Sequence, residues 1–460
     1  MKQEHILRLK TMSKKTKIGI VSLGCPKNRV DTEVMLGILG DVGYEIVAEP
    51  QDAEIIIVNT CAFIDDAKEE SINTVLEMAE YKNDKCRYLI MTGCLAERYH
   101  DEILAEIPEV DAVVGTGDYH KIATVINDVQ KGEVPVLFGH IDDEIPENLP
   151  RMISTGGATA YLKISDGCDN KCTYCIIPKL RGKYRSRPME DILNEARELA
   201  ASGVREIILI AQDTTRYGYD THGKEMLSVL LTELAKIEEI HWIRVHYMYP
   251  ESITDSMIDV FLSEPKVVKY MDIPIQHINN RVLKRMGRKS TKEETEELIK
   301  KLRSKIPDLT IRTTLIAGFP GETEEEFCEL LDFVKWAKFE KLGAFAYSVE
   351  DGTAAAKLPD QLDEETKISR QERVMALQSE ISDEVQKAKL GKIVEVICEG
   401  YDEENLMYFG RSQADSLDVD GTVYFATEDE VKIGEFVWVK ILDTDNYDCT
   451  GVQVELKEGL

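Results

Sequence analysis

Unbroken apolar runs punctuate this chain, and each is followed by a stretch of helical character. KIGIVSLG, EIIIVNT, RYLIMTG and DAVVGTG come in succession from Lys17, with helical stretches at 31–40, SINTVLEMAEY, DEILAEI and HKIATVINDV after them. A strand that is apolar at every position must be covered on both faces. Parallel strands are joined by crossovers that lay helices on those faces. Residues 15–135 therefore read as a doubly wound α/β domain. Residues 136–158 carry scattered Pro and Gly with no period of 2 or 3.6, which is the pattern of a linker. A second series follows, with strands AYLKISD, EIILIAQ, HWIRVHYM, YMDIPIQ, TIRTTLIAG and LGAFAYS between helical segments such as EDILNEARELAASG. Six such units fall short of the closed eight-unit barrel, which needs about 250 residues. A partial (β/α)6 barrel over residues 155–388 is expected. It ends in the long amphipathic helix DEETKISRQERVMALQSEISDEVQKAKLG. KIVEVICEG, LMYFGRS, GTVYFA and GEFVWVKILD then follow with no helix between them, as in a small antiparallel β-barrel of OB-like size over residues 390–457.

The chain carries 85 acids against 56 bases, a net charge of −29. That argues against non-specific nucleic-acid binding and suits a basic partner. The acidity peaks in residues 391–460, where 17 acids face 5 bases, a net of −12. No apolar run reaches the roughly 18 residues of a membrane-crossing helix. The N-terminus lacks the apolar stretch of a signal peptide, so a cytoplasmic protein is expected. The first eleven residues show no strand or helix partner, and Met12 is the expected start of translation. Ten cysteines in a reducing compartment point to metal or catalysis rather than to disulfides.

The sharpest motif is DGCDNKCTYCIIP, which places Cys168, Cys172 and Cys175 on the loop leaving the barrel's first strand. Three thiolates in eight residues can hold three irons of one [4Fe–4S] cluster. The spacing supplies no fourth ligand, so one iron stays open to the amino and carboxylate groups of an amino acid. The competing reading is structural zinc, which wants four ligands, and no further His or Cys lies near in sequence. Cys25, Cys61 and Cys94 each sit just past the C-terminal end of a strand in the first domain. That edge is where open α/β sheets bind ligands. The three thiols can converge there, or remain three separate buried cysteines. Cys86 precedes its strand and belongs at the opposite edge, about 23 Å away at 3.3 Å per residue.

These residues carry a resemblance. C-x3-C-x-Tyr-C on the first loop of a partial barrel resembles the radical S-adenosylmethionine superfamily. SLGCPKNRVDTE, VNTCAF and TGCLAER resemble the N-terminal domain of the methylthiotransferases, which also end in a small β-barrel, the TRAM domain. The resemblance runs from about Lys17 to Glu455. It implies two [4Fe–4S] clusters, one on Cys168, Cys172 and Cys175 and one on Cys25, Cys61 and Cys94. It also implies S-adenosylmethionine as methyl donor and as radical source. SLGCPKNRVDTE and YLKISDGC resemble the branch that modifies the β-carbon of an aspartate of ribosomal protein S twelve, and the acidic terminal barrel suits that basic protein. The alternative substrate is an adenosine of transfer RNA. The small ribosomal subunit and a low-potential flavodoxin- or ferredoxin-like electron donor are the implied partners, with no membrane.

Tyr174 matches the family's aromatic beside the third cysteine. By the same resemblance, Gln212 and Asp213 are candidates to meet the cofactor's amino group, and Thr313, Thr314 and Gly318 its adenosine. Gly318, Pro320 and Gly321 can equally just shape a turn. Arg181, Arg185 and Arg187 read as a solvated loop or as a clamp on substrate or product carboxylate. GTGDYH lacks the third glycine of a dinucleotide loop. Cys328, Cys398 and Cys449 read as core, and the acidic runs 324–326 and 363–365 as first turns of helices.

Overall fold

The structure, a computed structural model, describes residues 15–456; the Met12 start lies outside them. The chain forms two compact units. Of the described residues, the first comprises 15–140 together with Leu149–Met152, and the second Ile141–Asn148 and 153–456.

The first unit is built on six strands: β1 (Lys17–Ser22), β2 (Glu45–Ile46), β3 (Ile55–Thr60), β4 (Tyr88–Gly93), β5 (Ala112–Val114) and β6 (Val136–Leu137). Their order is β2-β1-β3-β4-β5-β6, and every pairing is parallel. All six residues of β3 are buried, as a central strand covered on both faces requires. The register sets Ser22 beside Asn59, Asn59 beside Thr92 and Thr60 beside Gly93. The C-terminal ends of β1, β3 and β4 are therefore level at one edge. The expected linker is more ordered than its composition implies. Val136–Leu137 adds the edge strand, and Arg151 returns to the helix Pro26–Asp41, where its Nε donates to buried Glu33 at 2.8 Å.

In the second unit, β7 (Thr159–Lys163) leads to a short antiparallel pair, β8 (Ser165–Asp166) with β9 (Arg185–Ser186). The sheet continues with β10 (Glu206–Ile210), β11 (Trp242–Val245), β12 (Val267–Asp272), β13 (Thr310–Ala317) and β14 (Lys341–Ala346). The order β14-β13-β12-β11-β10-β7 is all parallel and open, the expected partial barrel. Period-2 alternation sends Leu162, Ile207, Leu209, Ile243, Val245 and Met271 to the core beneath the helices. It leaves Tyr161, Glu206, Arg244, Tyr270, Arg312 and Lys341 on the concave face.

The terminal strands β15 (Ile393–Asp402), β16 (Met407–Ser412), β17 (Val423–Ala426), β18 (Phe436–Thr444) and β19 (Cys449–Gln453) close into a barrel. Four of its pairings are antiparallel as expected, while β17 pairs with β19 in parallel. The β16–β17 loop reaches the concave face of the larger sheet. Arg244 Nη1 donates to the Gln413 carbonyl at 2.8 Å and Lys341 Nζ to Asp415 at 2.7 Å. Tyr270 Oη donates to Asp420 at 2.7 Å, and His246 Nε2 meets Ser416 Oγ at 2.8 Å. Arg411 joins Glu206 at 2.6 Å beneath them. Nothing in the local sequence pattern indicates this insertion.

Candidate functional site

The loop after β7 and β8 is shaped by close backbone approaches. A Cβ on Gly167 would lie 1.9 Å from the Lys183 carbonyl oxygen, and one on Gly287 2.3 Å from that of Lys171; both glycines have positive φ. Cys168 N donates to the Gly182 carbonyl, Thr173 N to that of Met286 and Cys175 N to that of Cys172. Cys168 and Cys172 are buried and Cys175 half-buried. Burial pushes the Cys168 thiol up to about 11 and the Cys175 thiol to about 12, with Cys172 adding to both and Cys168 adding to Cys175. The three side chains therefore share one electrostatic environment, and loading a metal group displaces protons from them. Among the described residues no three His, Cys, Asp or Glu side chains meet closely enough for a single metal ion, as structural zinc would require. A four-iron cluster is wider and takes each thiolate on a separate iron.

The ring of Tyr174 packs edge-on against Phe319. Gln212 Nε2 donates to Asp166 at 3.0 Å, and its Oε1 has no hydrogen-bond partner. Asp213 accepts from Asn170 of the cysteine loop at 2.8 Å and from Thr215. Burial raises its carboxyl. Asp213 thus ties the second strand's loop to the cysteines. The Thr313 hydroxyl donates to the Ile273 carbonyl at 2.8 Å, toward β12, while its neighbours Arg312 and Thr314 take the other face. Gly318, at φ 74°, and Phe319 donate to Glu322, whose carboxyl burial raises to about 7 despite Arg370 at 2.8 Å.

The arginine trio is not a solvated loop. Arg181 is buried on Asp166, Arg185 bonds the carbonyls of Ile141 and Arg181, and Arg187 clasps Asp191. Burial opposes the charge of Asp166, but Lys163, Arg181 and Arg185 outweigh it and hold the carboxyl well below its usual range. Cys328 is exposed rather than core, whereas Cys398 and Cys449 are buried as expected. Both acidic runs do open helices: Thr323 forms a capping box with Glu326, and Asp363 caps Glu364–Lys387.

One residue escaped sequence reasoning. Arg288 is 7% exposed, stacks 4.3 Å from the Tyr249 ring centre and donates to the Pro274 carbonyl. Its Nη2 also pairs with Glu251 at 3.7 Å, while its Nε and Nη1 have no hydrogen-bond partner. The Tyr249 hydroxyl lies 3.9 Å from Cys172 Sγ. A buried guanidinium with two unused donors beside the cysteine loop fits a carboxylate. The only sequence signal is its place just after Gly287, which packs against that loop.

In the first unit, Cys25 occupies the N-cap position of the helix Pro26–Asp41 without a side-chain capping bond, and Cys94 opens the helix Cys94–Glu106. Cys61 follows β3 directly. A Cβ on Gly24, at φ 83°, would lie 2.8 Å from Cys61 Sγ, and one on Gly93, at φ 93°, 2.5 Å from the Thr60 carbonyl oxygen. The three cysteine loops are thus pressed together at the sheet edge. Cys86 lies before β4, bonded to the Tyr88 carbonyl, as the strand-edge argument expects.

Residues 162–334 match the Radical SAM superfamily, residues 17–115 the Uncharacterized protein family UPF0004, and residues 390–454 the TRAM domain. A radical S-adenosylmethionine methyltransferase, TsrM from Kitasatospora setae, shares the fold at a TM-score of 0.53 and 14% identity, over 73% of this chain and 74% of that one. The chain is 51% identical to the ribosomal protein uS12 methylthiotransferase RimO of Clostridioides difficile, over 95% of this chain and 98% of that one. It is also 51% identical to that of Caldicellulosiruptor saccharolyticus, over 95% and 99%. With that identity along nearly its whole length, the chain belongs to the family of ribosomal protein uS12 methylthiotransferases.

Proposed function

We propose that this enzyme methylthiolates the β-carbon of an aspartate of ribosomal protein uS12, in the cytoplasm. Near-full-length identity to enzymes of that name carries the reading. Residues 15–135 serve as the sulfur-carrying domain, 155–388 as the radical domain and 390–457 as the TRAM barrel. Cys168, Cys172 and Cys175 hold a [4Fe–4S] cluster, and Cys25, Cys61 and Cys94 a second. When bound, these groups supply reductive cleavage of S-adenosylmethionine to a 5′-deoxyadenosyl radical and the sulfur of a methylthio group. Radical chemistry suits the target because no general base could ionise such a C–H bond at neutral pH.

The chain's own residues hold and orient. Arg288 grips the carboxylate of S-adenosylmethionine, and Gln212 Oε1 accepts from its amino group. Tyr174 and the turn at Gly318 bound the adenosine, while Asp213 fixes the cysteine loop from behind. Thr313 acts through Ile273, as a brace between strands. A low-potential flavodoxin- or ferredoxin-like protein delivers the electron.

The acidic barrel receives the basic substrate. Register places its two acidic loops together: β15 turns into β16 through Glu403 and Glu404, and β17, antiparallel to β16, ends beside that turn before Glu428–Glu430. A cleft of about 440 Å³ lies there, lined by Thr427, Glu428, Asp429 and Glu455. The β16–β17 loop leaves from the opposite end of this barrel. Anaerobic incubation with S-adenosylmethionine, reductant and uS12 should add a methylthio group to one aspartate, read by mass spectrometry. Modification of transfer RNA instead would overturn the substrate.

A further inference from the structure

The helix Pro26–Asp41 places Asn28 fully buried at the edge where the three cysteine loops meet. Its Nδ2 donates to the Leu23 carbonyl at 3.2 Å, on the loop of Cys25. The same nitrogen donates to the Thr60 carbonyl at 2.8 Å, on the loop of Cys61. Its Oδ1 accepts from Cys94 Sγ at 3.8 Å. One amide therefore touches all three cysteine segments. Its orientation is determined, because two carbonyls accept and cannot donate, so the NH2 end must face them and the oxygen must face Cys94. Asn59 holds the arrangement from below, donating to the Asn28 carbonyl at 2.8 Å and to Thr32 at 2.9 Å.

We propose that Asn28 is the positioning residue of the second cluster, drawing the three cysteine loops into one cradle and setting the polarity around the Cys94 sulfur. The inference rests on the reading that Cys25, Cys61 and Cys94 hold that cluster. A ligating Cys94 has lost its proton and no longer donates to Oδ1. The negative end of the amide dipole then faces an electron-rich sulfur. Polar groups around ligating sulfurs tune cluster potentials, and this one opposes the addition of an electron. Asn28 holds the potential down while it holds the loops together.

The test uses the full chain with Cys168, Cys172 and Cys175 replaced by Ala, so that only the second cluster is counted. This protein should hold about four irons. Adding Asn28→Ala should shift the midpoint potential in the less negative direction and speed loss of iron to a chelator roughly tenfold or more. Asn28→Leu keeps the branching at Cγ, removes both ends of the amide, and should shift the midpoint the same way if Asn28→Ala does not fold. Asn28→Asp sets a charge against the sulfur and should shift it the opposite way. A role confined to packing would not reverse sign between these variants. Normal iron retention with an unmoved midpoint in Asn28→Ala or Asn28→Leu overturns this inference alone. An iron-free parent overturns the second-cluster reading and this inference with it.

Discussion

Cys168, Cys172 and Cys175 share one eight-residue loop, whereas Cys25, Cys61 and Cys94 come from three loops more than thirty residues apart. The first set keeps its spacing in any conformation of the chain. The second exists only once β1, β3 and β4 lie in register, with Gly24 and Gly93 admitting close backbone approach. A local motif carries its chemistry in its spacing; a dispersed one carries it in topology. The two sets also lie in different compact units.

The largest effect that can break this comparison is loss of one function without the other. Replacing Cys168, Cys172 and Cys175 by Ala should abolish 5′-deoxyadenosine formation yet leave about four irons per chain. Replacing Cys25, Cys61 and Cys94 should preserve reductive cleavage of S-adenosylmethionine and stop sulfur insertion. Cys86→Ala should do neither. Loss of a cluster on Cys86→Ala would mean that the sheet edge was assigned wrongly.

A second perturbation should act on one unit through its scaffold. Glu206 is fully buried between Arg411 of the terminal barrel and Arg244 of β11. Burial opposes its charge, but the two arginines prevail and lower the carboxyl from 4.5 to about 2. Because the folded value is depressed, the ion pairs stabilise fully above pH 4.5, and that contribution is lost as pH falls through about 2. Glu206→Gln leaves the buried Arg244 guanidinium without a carboxylate, while Arg411 keeps Glu399 at 2.8 Å, and should cost roughly 3 kcal/mol. Melting of the metal-free protein should show the loss at neutral pH and a flatter decline in acid. Iron bound by Cys25, Cys61 and Cys94 should be retained.

The same pair shows where sequence reading stops. Both sheets were legible because unbroken apolar runs alternating with helical stretches demand parallel strands covered on both faces, although the order of the strands was not. The radical loop was legible because its three cysteines are adjacent. Arg411 and Glu206 are 205 residues apart, and no local pattern records their pairing. Arg181 looked like a solvated charge because only the β8–β9 pairing brings Asp166 to it, whereas Arg187 meets Asp191 four residues on, in the first turn of the helix Met189–Ala201, a spacing the sequence does display. Thr313 sits among alternating residues, and which face of β13 meets the cofactor depends on the curl of the sheet. Arg288 followed an ordinary-looking glycine; its importance rests on burial and on unmet donors, which a sequence does not display.

Arg288 offers a sharper cut within the second unit. Losing a charge-assisted hydrogen bond costs about 1.5–3 kcal/mol. Arg288→Ala should therefore weaken S-adenosylmethionine binding by roughly 10- to 100-fold, and Arg288→Lys, which keeps charge but not the fork, by less. Iron content should not change in either variant. An unchanged Michaelis constant for S-adenosylmethionine would show that the unused donors of Arg288 do not meet the cofactor.

The smallest expected effect touches neither cysteine set. Steering by exposed acids acts on the association rate and weakens with salt, as the Debye length falls from about 10 Å at 0.1 M to about 3 Å at 1 M. The acidic end of the terminal barrel offers five exposed carboxylates for this: Glu403, Glu404, Glu428, Asp429 and Glu430. Asp402 differs from them, because it accepts from the backbone N–H groups of Glu404 and Asn405 at 2.9 and 3.1 Å and builds the turn itself. It should be left in place, or a fold defect would mimic a binding defect. An exposed charge pair contributes about 0.2 kcal/mol at the low end, so neutralising the five to Gln or Asn should raise the Michaelis constant for uS12 about fivefold and flatten its salt dependence. Cleavage of S-adenosylmethionine without substrate should be unchanged, because the acidic end is the end of the barrel opposite the β16–β17 loop that contacts the radical domain. If affinity and salt slope both stay as in the parent, the acidic loops maintain solubility alone, and recognition of the basic protein must come from the two catalytic domains.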